Sequence, residues 1–301
     1  MATCLVTGSS GFIGKHLTKK LLLENNKVVN VSRKNLLNSD TILLDLALGD
    51  YSKINFNEIH IIYHLAGLAH DTQKDINNYI DLNINATVNL AKVAAKSGVK
   101  RFVFLSSIKA EGHSLEGFDN LKLGFDKVSD IYGSSKRQAE SLLLKIASET
   151  SMDVSIIRPA LVYGPSMKGN LRDMLLAIDK GWFPPLPKLD NRRSLIHIDD
   201  LIRAIILISN HNKAKGETFL VSDGLPHSSR EIYEAMCYVL KKPIPSWGVP
   251  VSIFRLLSLI SPTMRKKIDK LLGDEYYPSE KISSIGFVPI RKLKEMNETF
   301  F

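Results

Sequence analysis

An apolar run, Cys4-Leu5-Val6, stops at a glycine loop, Gly8-Ser-Ser-Gly11-Phe-Ile-Gly14, and a helix-period stripe follows at Ile13, Leu17 and Leu21. A β-prone segment that turns on glycine straight into a helix opens a strand–helix–strand unit, which leaves few folds open. Gly8 permits the tight turn, Gly11 lets backbone approach a pyrophosphate, and Gly14 lets helix and strand pack closely. Glycines alone mark any flexible turn. Placed after a strand and before a helix, they imply a dinucleotide site with the phosphates at the helix N-terminus. Ser10, Phe12 and Ile13, interleaved with the glycines, are expected to touch the same cofactor.

The alternation continues. Strands are predicted over residues 4–7, 28–32, 41–44, 59–64, 102–106 and 154–158, and helices over 12–25, 74–97 and 134–149. Strands alternating with helices predict an α/β fold, a doubly wound parallel Rossmann sheet that binds ligands outside the carboxyl ends of its strands. After Arg158 the pattern breaks into short helices punctuated by Gly164-Pro165, Pro184-Pro185 and Pro187. We therefore expect a dinucleotide-binding domain over 1–165 and a smaller, mostly helical substrate lobe over 166–193 and 225–301. Two strand-like segments, 194–198 and 218–222, are expected to bring 194–224 back to the first sheet. Residues 249–260, followed by Met264-Arg265-Lys266-Lys267, read as a helix covering the lobe's core; the competing reading is an amphipathic helix on a membrane surface.

With 44% hydrophobic and 24% charged residues, the 301-residue chain has an ordinary globular composition. Its formal charge of +9 is scattered and lacks an aromatic-interleaved basic stripe. Attraction of a phosphate-bearing small molecule is favoured over nucleic acid. No apolar run is long enough to span a bilayer, and nothing at the N-terminus resembles a signal peptide. With Cys4 and Cys237 the only cysteines, a reducing, cytoplasmic setting is expected. His64, His70 and His113 lack metal-ligand spacing, so no metal is expected; His197 reads as a packed or substrate-lobe histidine.

The second chemical signal is Tyr132-Gly-Ser-Ser-Lys136. On a helix, this spacing puts phenol and ammonium on one face. A nearby cation favours the phenolate and brings the tyrosine pKa, ordinarily about 10, towards neutrality, where it can act as general acid or base. The third signal is Phe102-Val-Phe-Leu-Ser-Ser107, a strand ending in two hydroxyls. Either can donate a hydrogen bond to a substrate oxygen, and Ser106 alone could equally cap the turn.

Together these motifs resemble the extended short-chain dehydrogenase/reductases of the NAD-dependent epimerase/dehydratase family, over nearly the whole chain. Further carriers of the likeness are Tyr63-His-Leu-Ala-Gly67, Asn83-Ile-Asn-Ala-Thr87, Arg158-Pro-Ala-Leu-Val-Tyr-Gly-Pro165 and Arg193-Ser-Leu-Ile-His-Ile-Asp-Asp200. The resemblance implies that Tyr132 exchanges the proton and that Lys136 binds the nicotinamide ribose while tuning the tyrosine. It makes Ser107 the catalytic serine when Gly112 is aligned with the glycine closing the family's loop. It places Asp45 and Leu46 at the adenine and runs Leu65, Ala66 and Gly67 under the dinucleotide. Asn83 becomes a support of the sheet. Arg193 grips the diphosphate of a nucleotide-sugar substrate, a role Arg192 could share, and Asn170 hydrogen-bonds the nucleotide. A homodimer is allowed. One departure is Leu161, where relatives often carry asparagine.

Cofactor choice is read after the second strand. Ser32-Arg33-Lys34 offers two cations and a hydroxyl and no carboxylate, which favours NADP(H) through Arg33; NAD(H) stays possible if Arg33 stacks on adenine. A net reductase draws on NADPH. The resemblance then favours reduction of the C4 ketone of a UDP- or dTDP-4-keto-6-deoxyhexose, giving quinovosamine- or fucose-type sugars for surface polysaccharide such as lipopolysaccharide O-antigen. The alternative is an NAD-dependent UDP-sugar 4-epimerase. A dehydratase is disfavoured because Ser107 is followed by Ile108-Lys109-Ala110, with Glu111 the nearest carboxylate. A non-catalytic, regulatory dinucleotide-binding protein is disfavoured because both Tyr132 and Lys136 are present.

Overall fold

Strand β1 (Thr3–Thr7) is buried through Leu5 and Val6 because parallel strands flank it on both sides. The computed structural model describes residues 1–34, 40–69, 75–111 and 131–296. His70, Gly112 and His113 lie outside the described residues. Helix α1 (Phe12–Leu23) follows β1 and leads to β2 (Lys27–Ser32) and β3 (Thr41–Leu43). Strand β4 (Ile61–His64) is followed by α2 (Ile76–Tyr79), a π-helical turn over Ile80–Asn85, and α3 (Ala86–Lys96). Next come β5 (Arg101–Leu105), α4 (Ile131–Glu149) and β6 (Asp153–Pro159).

The sheet has seven strands in the order β3-β2-β1-β4-β5-β6-β9, where β9 is Thr218–Val221. This is the doubly wound Rossmann architecture. The order reverses between β1 and β4, which is where such sheets open a crevice. Register aligns the carboxyl ends: Thr7 lies opposite Val31 and His64, and His64 opposite Phe104. The glycine loop, Arg33, Leu65–Gly67 and Ser106-Ser107 therefore all leave one edge of the sheet.

The core cluster is apolar strand and helix surface, with Leu5, Ile62, Phe102, Phe104, Val154 and Ile156 fully buried. Burial of this kind is worth about 1.5–3 kcal/mol per large side chain. On α1 the buried stripe is Gly14, Leu17 and Leu21, with Ile13 only half-buried. The predicted helix 74–97 is interrupted by the π turn, and the third strand ends at Leu43 rather than 44. Arg101 caps the end of α6 (Ile198–Asn210), donating to Ser209 O at 2.9 Å and His211 O at 2.8 Å, where a cation suits the helix dipole.

The chain divides into two compact units, Met1–Pro159 with Ile202–Leu220, and Ala160–Leu201 with Val221–Phe301. The second unit holds a separate parallel pair, β7 (Leu161–Tyr163) and β8 (Leu195–His197), in register Leu161 to Leu195. The segment at 194–198 was expected in the main sheet and is not there. Strand β7, diverging after Pro159, offers it a parallel partner, and all three β8 residues are buried. Helices α5 (Asn170–Asp179), α7 (Ser229–Val239), α8 (Val251–Leu257), α9 (Pro262–Leu272) and α10 (Glu280–Ser283) complete this unit. Arg230 ties its loops together, donating to Leu186 O at 2.5 Å and Trp247 O at 3.2 Å.

Residues 249–260 depart from the favoured expectation. Only Phe254 among them is buried, so α8 is not a lid over the lobe's core. Among the described residues no helix is long and apolar enough to cross a membrane.

Candidate active site

The glycine loop is shaped by steric necessity. Gly8 has φ +69°, and a Cβ there would sit 2.7 Å from Ala66 N; a Cβ on Gly14 would sit 2.2 Å from Gly8 O. The loop therefore lies against Leu65-Ala66, and the two predicted cofactor segments form one floor. Gly11 caps α1 without a side chain, and the helix carries no acidic residue in its first turn. Its N–H groups and dipole suit an anion. Ser9 Oγ is buried without a hydrogen-bond partner among the described residues. A cradle with no room for side chains, a helix N-terminus and an unsatisfied hydroxyl fit a diphosphate.

Ser10 extends the loop towards the end of β2. Ser32 Oγ donates to Ser10 Oγ at 3.2 Å and accepts from Lys34 N at 3.2 Å, while Arg33 and Lys34 are exposed. Phe12 is half-buried, its ring edge-on to His16. Asp45 accepts from Ala47 N at 3.1 Å, capping a short helical turn. Leu46, which follows Asp45, has its side chain buried in the core, and its carbonyl accepts from Tyr51 Oη at 3.4 Å. An apolar side chain after the strand end gains more from the core than from a solvent-facing crevice.

His64 ends β4 beneath this floor. Its ring lies between two hydroxyls, Thr7 Oγ1 and Thr87 Oγ1, each at 2.8 Å. Burial, helped by the Lys136 charge, pushes its pKa down to about 3, so the ring is neutral. Thr7 Oγ1 also accepts from Ala66 N at 3.2 Å. His64 thus packs the sheet. His197 packs edge-on against Tyr163 at 5.2 Å.

Tyr132 and Lys136 both lie on α4, four residues apart, as their spacing implied. Lys136 is 3% exposed. Its Nζ donates to Leu105 O at 3.0 Å and lies 4.5 Å from the centre of the Phe104 ring. A Cβ on Gly67 would lie 2.9 Å from Nζ, so the ammonium borders the floor. Burial lowers the Lys136 pKa to about 8, against the opposing pull of Glu140. Tyr132 is half-buried, with Lys109 Nζ 5.3 Å from its ring centre. Of the two serines, Ser106 is 4% exposed, with an Oγ lacking a partner among the described residues. Ser107 is half-buried, and its Oγ accepts from Lys109 N at 3.3 Å. Ser107 is the one open to a ligand.

Asn83 does more than support the sheet. Its Oδ1 accepts from Leu68 N at 2.7 Å, and its Nδ2 donates to Leu68 O at 3.0 Å and Ser135 Oγ at 2.9 Å. Ser135 Oγ in turn donates to Tyr132 O at 2.8 Å. The amide thus ties the floor loop to the first turn of α4. Its placement by the π turn was not legible in a pattern read at helical period. Lys109, Glu140 and Arg158 are further neighbours that sequence reasoning did not assign. Arg158 binds Glu140 through Nε at 3.0 Å and Nη2 at 2.5 Å, and also pairs with Glu111.

Of the substrate residues proposed from sequence, Ser107 lies in the first unit, and Asn170 and Arg193 lie in the second. Asn170, exposed, begins α5. Arg193 is committed to its own unit: Nη2 donates to Glu275 at 2.6 Å and Nη1 to Lys270 O. Arg192 stacks 4.3 Å over Tyr276 and is exposed.

Comparison with known proteins gives a consistent picture. The sequence pattern of the NAD dependent epimerase/dehydratase family matches residues 4–222. A UDP-glucose 4-epimerase of Vibrio cholerae is 35% identical, the match covering 97% of this chain and 92% of the other. An N-acetyl-α-D-glucosaminyl-diphospho-ditrans,octacis-undecaprenol 4-epimerase of Escherichia coli O157:H7 is 25% identical over 94% of this chain and 89% of its own. The fold is that of a UDP-glucuronic acid 4-epimerase from Bacillus cereus in complex with NAD, at TM-score 0.76 and 21% identity, covering 99% of this chain and 96% of the other.

Proposed function

This chain belongs to the NAD dependent epimerase/dehydratase family, and on that premise we propose that it is a 4-epimerase of a UDP-linked hexose. The observation that carries this reading is the 35% identity with the Vibrio cholerae UDP-glucose 4-epimerase along almost the full length of both chains. The first unit is the dinucleotide-binding domain. Gly8, Ser10, Gly11, Phe12, Ile13 and Gly14 hold the diphosphate end, Arg33 and Asp45 the adenosine end, and Leu65, Ala66 and Gly67 the floor. A bound nicotinamide supplies the acceptor, and then the donor, of a hydride.

The chain's own residues handle the proton. Tyr132 Oη takes the proton of the sugar's C4 hydroxyl as that carbon is oxidised, and returns it when the ketone is reduced on its other face. Lys136, charged below about pH 8, holds the ribose and favours the phenolate. Ser107 Oγ donates to the C4 oxygen. The second unit binds the nucleotide-sugar, with Asn170 and Arg193 as its proposed contacts.

A second reading keeps one specific support. Arg33 and Lys34 stand exposed after β2 without a carboxylate, which suits NADPH and a 4-keto-6-deoxyhexose reductase. The test offers purified protein UDP-glucose or UDP-N-acetylglucosamine alone, and separately a 4-keto-6-deoxy sugar nucleotide with NADPH. The epimerase forms the 4-epimer, seen by NMR, with no net absorbance change. Stoichiometric NADPH loss in the second tube and no epimer in the first would replace it by the reductase.

A further inference from the structure

The hairpin of α8 and α9 turns an apolar face outward. In α8, Ile253, Leu256 and Leu257 recur at helical spacing on one side, and Leu259 and Ile260 continue it through the following turn. Leu256 is 67% exposed, Leu259 77% and Ile260 70%. The inward contacts are made by Phe254 and Ile268. A contiguous exposed apolar strip of this kind marks an interaction surface.

The same hairpin carries Arg255, Arg265, Lys266, Lys267 and Lys270, all exposed, against one acid, Asp269, which pairs with Arg265. That charge chooses the occupant. A second copy docking face to face would set these cations against themselves, since a two-fold contact uses the same patch twice. An anionic lipid surface meets both demands: acyl chains take up the leucines and isoleucines, and headgroups neutralise the lysines and arginines. We propose that the α8–α9 hairpin docks this protein peripherally on anionic membrane. With no spanning helix among the described residues, attachment is reversible and weakened by salt.

The test is co-sedimentation of the full chain with phosphatidylcholine vesicles, with and without about one third phosphatidylglycerol. Binding is expected only to the anionic vesicles, falling at least about tenfold in Leu256→Ser/Leu259→Ser and in Lys266→Glu/Lys267→Glu. These positions are exposed, so unfolding midpoints should stay at the wild-type value and certify the variants as folded. Failure to bind anionic vesicles, or equal binding to neutral ones, overturns the proposal. So does light scattering that shows a dimer which Leu256→Ser/Leu259→Ser abolishes, because the strip would then belong to a second copy.

Discussion

Arg158, near the end of β6, clasps the Glu140 carboxylate of α4, with Nη2 2.5 Å from Oε2 and Nε 3.0 Å from Oε1. Glu140 lies one helical turn beyond Lys136 and holds that lysine's pKa up against burial. Glu140→Gln should remove that support and leave Arg158 with Glu111 alone. The alkaline limb of the pH–rate profile should move to lower pH, while unfolding free energy drops by about 3 kcal/mol. An unmoved limb in a destabilised protein would reduce Glu140 to a structural role.

Lys136 also sets a pH dependence of stability. Its folded pKa of about 8 lies below the ordinary lysine value of 10.5, so between those limits the unfolded chain binds the proton more tightly. Stability attributable to this group therefore rises across that window as the burial penalty on its charge is relieved. Urea unfolding from pH 8 upward, compared between wild type and Lys136→Met, should show the difference between them growing in favour of wild type. A constant difference would refute the buried charge.

Tyr132→Phe removes only the transferable proton. Turnover should fall by about 10²–10⁴ with dinucleotide affinity kept, measured by fluorescence titration beside steady-state rates. Wild-type turnover would dismiss Tyr132 as the proton carrier.

The two serines are separable. Ser107→Ala should cost about tenfold or more in kcat with KM little changed, as for a donor acting on developing charge. Ser106→Ala deletes a buried hydroxyl that has no partner among the described residues, and kcat should hold. The reverse pattern would exchange their roles.

Arg33→Asp should shift the preference between NADPH and NADH towards NADH, because a carboxylate repels the 2′-phosphate and accepts from the ribose hydroxyl. The ratio of dinucleotide dissociation constants measures it. An unchanged ratio leaves Arg33 an adenine-stacking or surface residue.

Much of the dinucleotide unit was legible because its causes are local. Gly8 and Gly14 stand where backbone crowding forbids side chains, and Tyr132 and Lys136 share a helix face because four residues make about a turn. What stayed hidden depends on distant partners. Strand β8 pairs with β7 through a register that hydrophobic pattern does not encode. The stripe Ile253, Leu256, Leu257 announces an amphipathic helix, yet periodicity reports that a face is apolar and not what covers it. The ion pair of Arg193 with Glu275, a residue far along the chain, is equally invisible to a pattern read locally. Leu46 follows Asp45 in order, and that its side chain joins the core depends on elements distant in sequence.

The π turn at Ile80–Asn85 acts as a register spacer. Such a turn takes in an extra residue relative to regular α-helix, so everything before it is rotated with respect to everything after it. Deleting one residue between 80 and 85 would let the segment relax into continuous α-helix and swing the upstream residues by about 100°. Asn83 would lose either Leu68 or Ser135 while nearly every side chain of the protein remained in place. The alignment of the Leu65–Leu68 loop with the first turn of α4 thus hangs on the count of residues in that turn as much as on their identity.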